Sequence, residues 1–535
     1  DSHEKTGALS GMPNMKMNFK KLLRKTERGQ AIILIAFAFV GLVAMVGLVT
    51  DTGILLIEYG KLKRSVDAAA IAAAQEYRPR VDTAQLDLAR LQNAAIAILQ
   101  LNQVQNVNNI QIHTCEPTDP ARPVLCNPDP VGHPMANRKL VGVSASSNVV
   151  FGFLRVIGIN SVNLTASSIG EATTIDLVLI MDTSASMAFE TGNETYDPAN
   201  NINTNLRSDA DDDPSVCNNS NTCEPMRAVK TVAWDFVSRL YFPYDRVAVI
   251  AMTSQNPGGM RPPEEVIPLT STRDVVQGQI EGINVFEPRV CDGSDTEGAC
   301  LQYDGAGNFG GTVCQIYELH SSEAIRDPSS CPSSNIGGTL RLARRALQGS
   351  GDPSTMRPSA FWVVVGLFGG PANATDNDPA NGFPNGYCPP NTWLQGAPYF
   401  QGPACRDPLP STRHADSDTI FYTNPMSGQS ATISRYDAED YARDMADDLA
   451  TLTTGSGVTI YTIGLGAQIQ TPAKDGQQNE ILGEPPPAEF LLQYIAEQAG
   501  GSSIDHGQYF YATNSTALSS IFEKISQNIA TKISQ

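Results

Sequence analysis

The stretch Ile175–Met187, reading I-D-L-V-L-I-M-D-T-S-A-S-M, constrains the fold more than any other part of the chain. From Ile175 to Met181 only Asp176 interrupts the apolar run, which predicts a strand buried on both faces. Such strands belong to parallel sheets covered by helices on each side, so this part of the chain is expected to be α/β. Asp182, Ser184 and Ser186 follow at alternate positions, where the strand gives way to a loop. In open α/β sheets ligands bind outside the C-terminal ends of the strands. One carboxylate and two hydroxyls there suit a hard divalent cation such as Mg²⁺, which takes oxygen ligands and retains water. The plainer alternative is that the three side chains cap the following turn by bonding backbone N–H groups.

Strand and helix patterns then alternate to the end of the sequence, as in a doubly wound parallel sheet. Helices are expected over Met226–Leu240, Leu340–Leu347, Ala438–Leu452, Ala488–Ala499 and Ala517–Ile533, and strands over Arg246–Met252, Phe361–Leu367, Val458–Leu465 and Gln508–Ala512. Three stretches rich in Gly, Pro, Asn and Asp read as insertions, at 188–225, 254–335 and 371–437. The D-T-S-A-S loop, I-G-G-T-L-R-L-A, V-T-I-Y-T-I-G-L-G and F-Y-A-T-N-S-T-A-L-S-S-I-F together resemble, in order, the motifs of von Willebrand factor type A domains. That resemblance implies such a domain over 175–535, with a metal-ion-dependent adhesion site built from Asp182, Ser184, Ser186 and, in the second loop, Thr339. The family's third loop carries T-D-G, whereas V-V-V-G-L-F-G-G-P-A-N puts Phe368 and Gly369 at the first two of those places. The exchange removes one carboxylate, so Mg²⁺ would be held more weakly.

The N-terminal part is of another kind. Ala31–Val49 contains no charge, and nineteen helical residues span roughly 28 Å, close to a bilayer's hydrocarbon core. A cleaved signal peptide would have a shorter apolar region and a small-residue cleavage site. Here the apolar pattern runs on through Ile57, so 29–57 is read as an uncleaved transmembrane helix. Residues 1–28 carry seven Lys/Arg against three Asp/Glu, about +4, which places them in the cytoplasm and the bulk of the chain outside. Asp51 reads as an interfacial carboxylate at the outer boundary. Residues 58–104 are expected to form membrane-proximal helices, the first extending the anchor to about Tyr77 and the second covering Ala84–Leu101. The Ala-rich helix is a stalk packed on its own second helix or, alternatively, an oligomerisation surface. Residues 105–174, with alternating strand-like segments, read as a small α+β module.

R-G-Q, the apolar span, then D-T-G-I-L-L-I-E-Y-G-K-L-K-R-S-V-D-A-A-A-I-A-A-A resembles the N-terminal segment of TadE/TadG-like proteins. The resemblance implies a role in the assembly of Tad (Flp) pili. No glutamate stands five residues after Gly29, which argues against processing into a pilin-like subunit.

Composition narrows the function further. A net charge of −19 excludes nucleic acid as a natural partner, because a phosphate backbone demands a basic face. All ten cysteines lie beyond residue 114, on the outer side of the expected membrane span, and so read as disulfides in an oxidising compartment. Pairing of sequence neighbours would join 115–126, 217–223, 291–300, 314–331 and 388–405. Zinc is disfavoured because no C-x₂-C pair occurs. Asp209–Asp213 (D-A-D-D-D) reads as a solvated loop in preference to a Ca²⁺ site, since it lacks the Gly and terminal Glu of an EF-hand. No G-x-S-x-G, Walker A or H-E-x-x-H motif is present and no histidine lies in a triad pattern, so no enzyme is expected. The expectation is a single-pass cell-membrane protein that binds other proteins, either pilus machinery or a surface ligand. A stand-alone adhesin unconnected to pili is the rival.

Overall fold

The computed structural model describes residues 27–77, 85–104, 106–126, 138–188, 213–253, 262–291, 299–314, 334–376, 411–415, 417–423, 430–452, 457–473 and 480–533. The chain divides into two compact units. One comprises residues 1–70, 94–112 and 142–168, and the other 71–93, 113–141 and 169–535.

In the first unit the uncharged span lies within helix α1 (Glu27–Gln75), 49 residues long. From Ala31 onward it is the one helix among the described residues long and apolar enough to cross a membrane. Ile32, Phe37, Phe39 and Met45 are each at least two-thirds exposed (66–73%), as lipid-facing side chains would be. Beyond Asp51 the helix changes character. Leu62, Val66, Ala69 and Ala70 are buried at helical spacing, the pattern of a helix packed on protein. Helix α2 (Leu88–Leu101) starts one turn later than its sequence signal. The strands β1 (Val107–Thr114), β2 (Lys139–Val150) and β3 (Ser161–Ala172) make a three-stranded sheet with β2 central.

In the second unit the apolar run is β4 (Ile175–Met181), and all seven residues are buried. The elements that follow it in the chain are α3 (Pro214–Ser220), α4 (Met226–Ser238), β5 (Arg246–Ala251), β6 (Glu264–Thr270), α5 (Arg273–Gly282), β7 (Ala299–Tyr303), β8 (Phe309–Cys314), α6 (Ile336–Leu347), β9 (Phe361–Phe368), β10 (Thr419–Thr423), β11 (Ser430–Ser434), α7 (Ala438–Ala450), β12 (Thr459–Leu465), α8 (Pro487–Glu497), β13 (Tyr509–Ala512) and α9 (Leu518–Ile533). Among the described residues six strands form one sheet in the order β13-β12-β9-β4-β5-β6. All neighbours are parallel except β5 and β6. This is the doubly wound, mostly parallel sheet that the alternation of strand and helix patterns in the sequence implies.

Successive side chains of a strand point to opposite faces, and β4 divides its apolar residues accordingly. Val178 and Ile180 enter a core with Leu340, Ala343 and Leu347 of α6, Ala442 and Leu449 of α7, and Leu491 of α8. Leu177, Leu179 and Met181 enter another with Val229 and Phe236 of α4, Ile280 of α5, and Phe522 and Ile525 of α9.

Asp176, the one charge in the run, is fully buried. It faces its register partner Arg246, which donates to it from both Nε (2.9 Å) and a terminal nitrogen (2.6 Å). Arg357 completes the cluster by pairing with the same carboxylate.

The stretch 254–335 needs correction as a single insertion. It supplies the sheet's antiparallel edge strand β6 and the packed helix α5. β6 contains Pro268 and begins with two glutamates, and proline is confined to sheet edges and bulges because it has no N–H to donate. The β5–β6 register does shift at this place. Two antiparallel hairpins, β7–β8 and β10–β11, stand outside the main sheet. Disulfides join Cys115–Cys126, Cys217–Cys223 and Cys291–Cys300, as pairing of sequence neighbours suggested. The other two expected pairs involve Cys331, Cys388 and Cys405, outside the described residues.

Candidate functional site

Strand register builds the site. Met181 pairs with Leu367, so the loop leaving β4 runs beside the loop leaving β9. The Asp182 N–H donates to Leu367 O (3.1 Å), and the Gly369 N–H donates to Asp182 Oδ2 (2.7 Å). Asp182 Oδ1 accepts the N–H of Ser184 (2.8 Å), and the Ser184 and Ser186 hydroxyls are hydrogen-bonded at 2.9 Å. The expected first-loop residues are therefore brought together. Thr183, between them, fastens the loop to the end of β5. Its hydroxyl donates to Thr253 O (3.0 Å) and accepts the Thr253 N–H (2.9 Å).

Asp182 is buried, and among the described residues no guanidinium or ammonium is a hydrogen-bond partner of its carboxylate. Burial pushes its carboxyl above the usual carboxylate range, against hydrogen bonds from the Ser184 side chain and the Ser184 and Gly369 N–H groups. A desolvated carboxylate met only by neutral donors is the setting a cation would relieve.

Thr339 lies in the first turn of α6, fully buried. Its hydroxyl donates to Ile336 O (2.6 Å), which uses its proton and leaves oxygen lone pairs. The I-G-G-T segment is the start of this helix, not a loop before it. Asn335 is the N-cap, accepting the Gly338 N–H at 2.8 Å.

The third loop holds the second in place through residues that sequence reasoning missed. Asn373 Oδ1 accepts the Ser334 N–H (2.7 Å), and its own N–H returns to Ser334 O (3.1 Å). Asp376 accepts from the Asn335 amide (2.9 Å), Arg341 Nε (2.6 Å) and the Tyr441 hydroxyl (2.7 Å). A P-A-N-A-T-D segment following a strand was the available signal, but it fell inside the expected insertion at 371–437.

Gly369 stands where the resemblance implies an aspartate. A Cβ at this position would lie 3.2 Å from Asp182 Oδ2 and 3.7 Å from Ser186 Oγ, so a side chain here would begin at the cluster itself. Asp182, Ser184 and Ser186 gather one carboxylate and two hydroxyls, hard oxygens of the kind Mg²⁺ takes, with one carboxylate fewer than the full motif. Among the described residues no three His, Cys, Asp or Glu side chains gather for a metal. Of the Asp209–Asp213 run only Asp213 is described. It caps α3 through the Ser215 N–H (2.9 Å) and accepts the Tyr303 hydroxyl (2.8 Å).

Residues 29–76 match the family described as "Putative Flp pilus-assembly TadE/G-like", the same stretch in which the sequence resembles TadE/TadG-like proteins. No curated protein matches the chain. Among solved structures, the PilB minor pilin from Streptococcus sanguinis is 11% identical at a TM-score of 0.34, covering 80% of this chain and 79% of that one. The pilus adhesin SpaC from Lactobacillus rhamnosus GG is 12% identical at a TM-score of 0.32, covering 80% of this chain and 35% of that one. The vWF domain of the type V pili tip protein Mfa5 from Porphyromonas gingivalis is 14% identical at a TM-score of 0.31, covering 68% and 97%.

Proposed function

We propose that the protein is a membrane-anchored surface component that supports assembly or anchoring of a Tad (Flp) pilus by binding another protein. The observation that carries this reading is one chain joining a TadE/G-like segment at 29–76 to a von Willebrand type A sheet with the Asp182 loop at its C-terminal edge. In this reading α1 anchors the chain with residues 1–28 in the cytoplasm, and the sheet's C-terminal edge is the binding surface.

Asp182, Ser184, Ser186 and Thr339 would hold Mg²⁺. When bound there, the cation supplies a Lewis-acidic position that a carboxylate of the partner completes. The chain's own contribution is preorganisation. Thr183 pins the first loop to β5, and Asn373 with Asp376 pins the third loop to the second. Binding costs less when the site is ordered beforehand. The protein acts as a binder, not an enzyme.

The test is a count of surface pili in cells lacking the protein and in cells carrying Asp182→Ala. Loss of pili in the deletion and a reduced count in the variant are expected. Normal piliation in the deletion would contradict the proposal and leave the stand-alone adhesin as the better reading.

A further inference from the structure

The turn between β2 and β3, Phe151–Ile159 (F-G-F-L-R-V-I-G-I), belongs to the same compact unit as the apolar part of α1. Phe153, Val156, Ile157 and Ile159 are 48%, 86%, 71% and 48% exposed. Four large apolar side chains presented together on one short turn are unusual for a surface bathed in water. The turn is nonetheless well ordered by hydrogen bonds, and the pattern of those bonds is informative.

Asp51, buried on α1, takes three of its amides. Oδ1 accepts the Gly152 N–H (2.9 Å), and Oδ2 accepts those of Phe153 (2.9 Å) and Leu154 (2.7 Å). The Phe151 N–H donates to Asn160 O, Val156 to Phe153 O, Gly158 to Arg155 O and Ile159 to Leu154 O, all at 3.0–3.1 Å. Gly158 adopts the left-handed φ of +92° that closes the turn. Nearly every amide of the segment is thus satisfied inside the protein, the condition for backbone to sit where water is scarce.

Its level is set by α1. Gly47 packs so closely on Phe153 that a Cβ there would meet the phenylalanine at 2.8 Å. Gly47 lies two residues inside the end of the uncharged Ala31–Val49 span and Asp51 two residues beyond it. At 1.5 Å per residue, each is about 3 Å from that end. The turn therefore stands at the boundary between the apolar span and the polar part of the helix. Its one charge is Arg155, and no acidic residue occurs between Val150 and Gly170, so a protein of net charge −19 presents a cation here.

We propose that Phe151–Ile159 is a second membrane-contacting element, seated in the headgroup layer of the outer leaflet beside α1. Phe153, Val156 and Ile157 enter the acyl boundary, and Arg155 meets lipid phosphates. Asp51 is the pin that fixes the turn's depth, not a charge exposed to lipid. The inference rests on the reading of α1 as a membrane-spanning helix, and the experiment separates the two.

The full chain is reconstituted in phosphatidylcholine–phosphatidylglycerol vesicles with an environment-sensitive fluorophore at one introduced cysteine. The positions are Val156→Cys, Phe39→Cys within the span, and Ser520→Cys on exposed α9. The readout is reduction by external dithionite, together with quenching by lipids spin-labelled near the headgroup. The expected result is protection and shallow-lipid quenching at position 156, deep protection at 39, and free reduction at 520. Asp51→Ala should abolish protection at 156 while leaving 39 protected, and Val156→Cys in the otherwise native chain keeps the test decisive should that variant misfold. Protection at 39 with free reduction at 156 overturns the proposal and leaves the anchor intact. Free reduction at 39 overturns both.

Discussion

Two buried aspartates, one on β4 and one just past its end, sit in opposite electrostatic settings. Asp176, at the start of the strand, is matched by Arg246 and Arg357. Asp182, just past its end, meets N–H and hydroxyl groups only among the described residues. Removing one member of a buried ionic cluster strands the others without solvent, at a cost of about 3–5 kcal/mol. Asp176→Ala should therefore lower the stability of the full chain by that amount, read as a shift in denaturant midpoint. Asp440, in the first turn of α7, is a third buried aspartate. Its carboxyl is pushed up to about 7, by burial first and by the neighbouring Asp437 carboxylate second, with His414 and Arg443 facing it as well. A carboxyl raised in the folded state contributes stability below its ordinary value near 3.8, and that contribution is lost as pH rises through about 7. Asp440→Asn should flatten the fall in stability across this window, measured as denaturant midpoint against pH. An unchanged profile would contradict the assignment.

Among the elements, legibility in the sequence followed burial. β4, β9 and β12 are mostly apolar and almost wholly buried because both faces are covered, and each lies within one residue of its sequence signal. β6 was hidden because an edge strand carries polar residues and tolerates Pro268, so its composition resembles a loop. The hairpins β7–β8 and β10–β11 were hidden by their five- and six-residue strands. At the site, the first loop was legible because its donors are adjacent in sequence. The Asn373–Ser334 and Asp376–Asn335 ties join residues 39 and 41 positions apart, and no local pattern announces such a link. Gly369 was legible as a departure from the motif, and the structure adds where a side chain there would begin. Gly369→Asp should return a carboxylate beside Asp182. Two like charges in that space should lower the melting temperature in chelator and raise it in Mg²⁺ beyond the parent's response. A variant insensitive to Mg²⁺ would show that the third loop does not face the cation position.

At the scale of the whole molecule, an apolar helix fit to span a membrane and a doubly wound, mostly parallel sheet occur in one acidic chain. A net charge of −19 makes the surface attractive to cations generally, so bulk affinity for a metal would prove little. Specific binding has to depend on one residue. On the proposed function, the loop at the end of β4 is a working cation site through which a partner is held. Calorimetric titration of Mg²⁺ into the membrane-anchored protein in detergent, beside the Asp182→Ala variant, decides whether it is one. Saturable heat in the parent, accompanied by a rise in melting temperature and absent from the variant, is the predicted result. Equal heats in the two proteins, or no heat and no thermal shift in either, would contradict it.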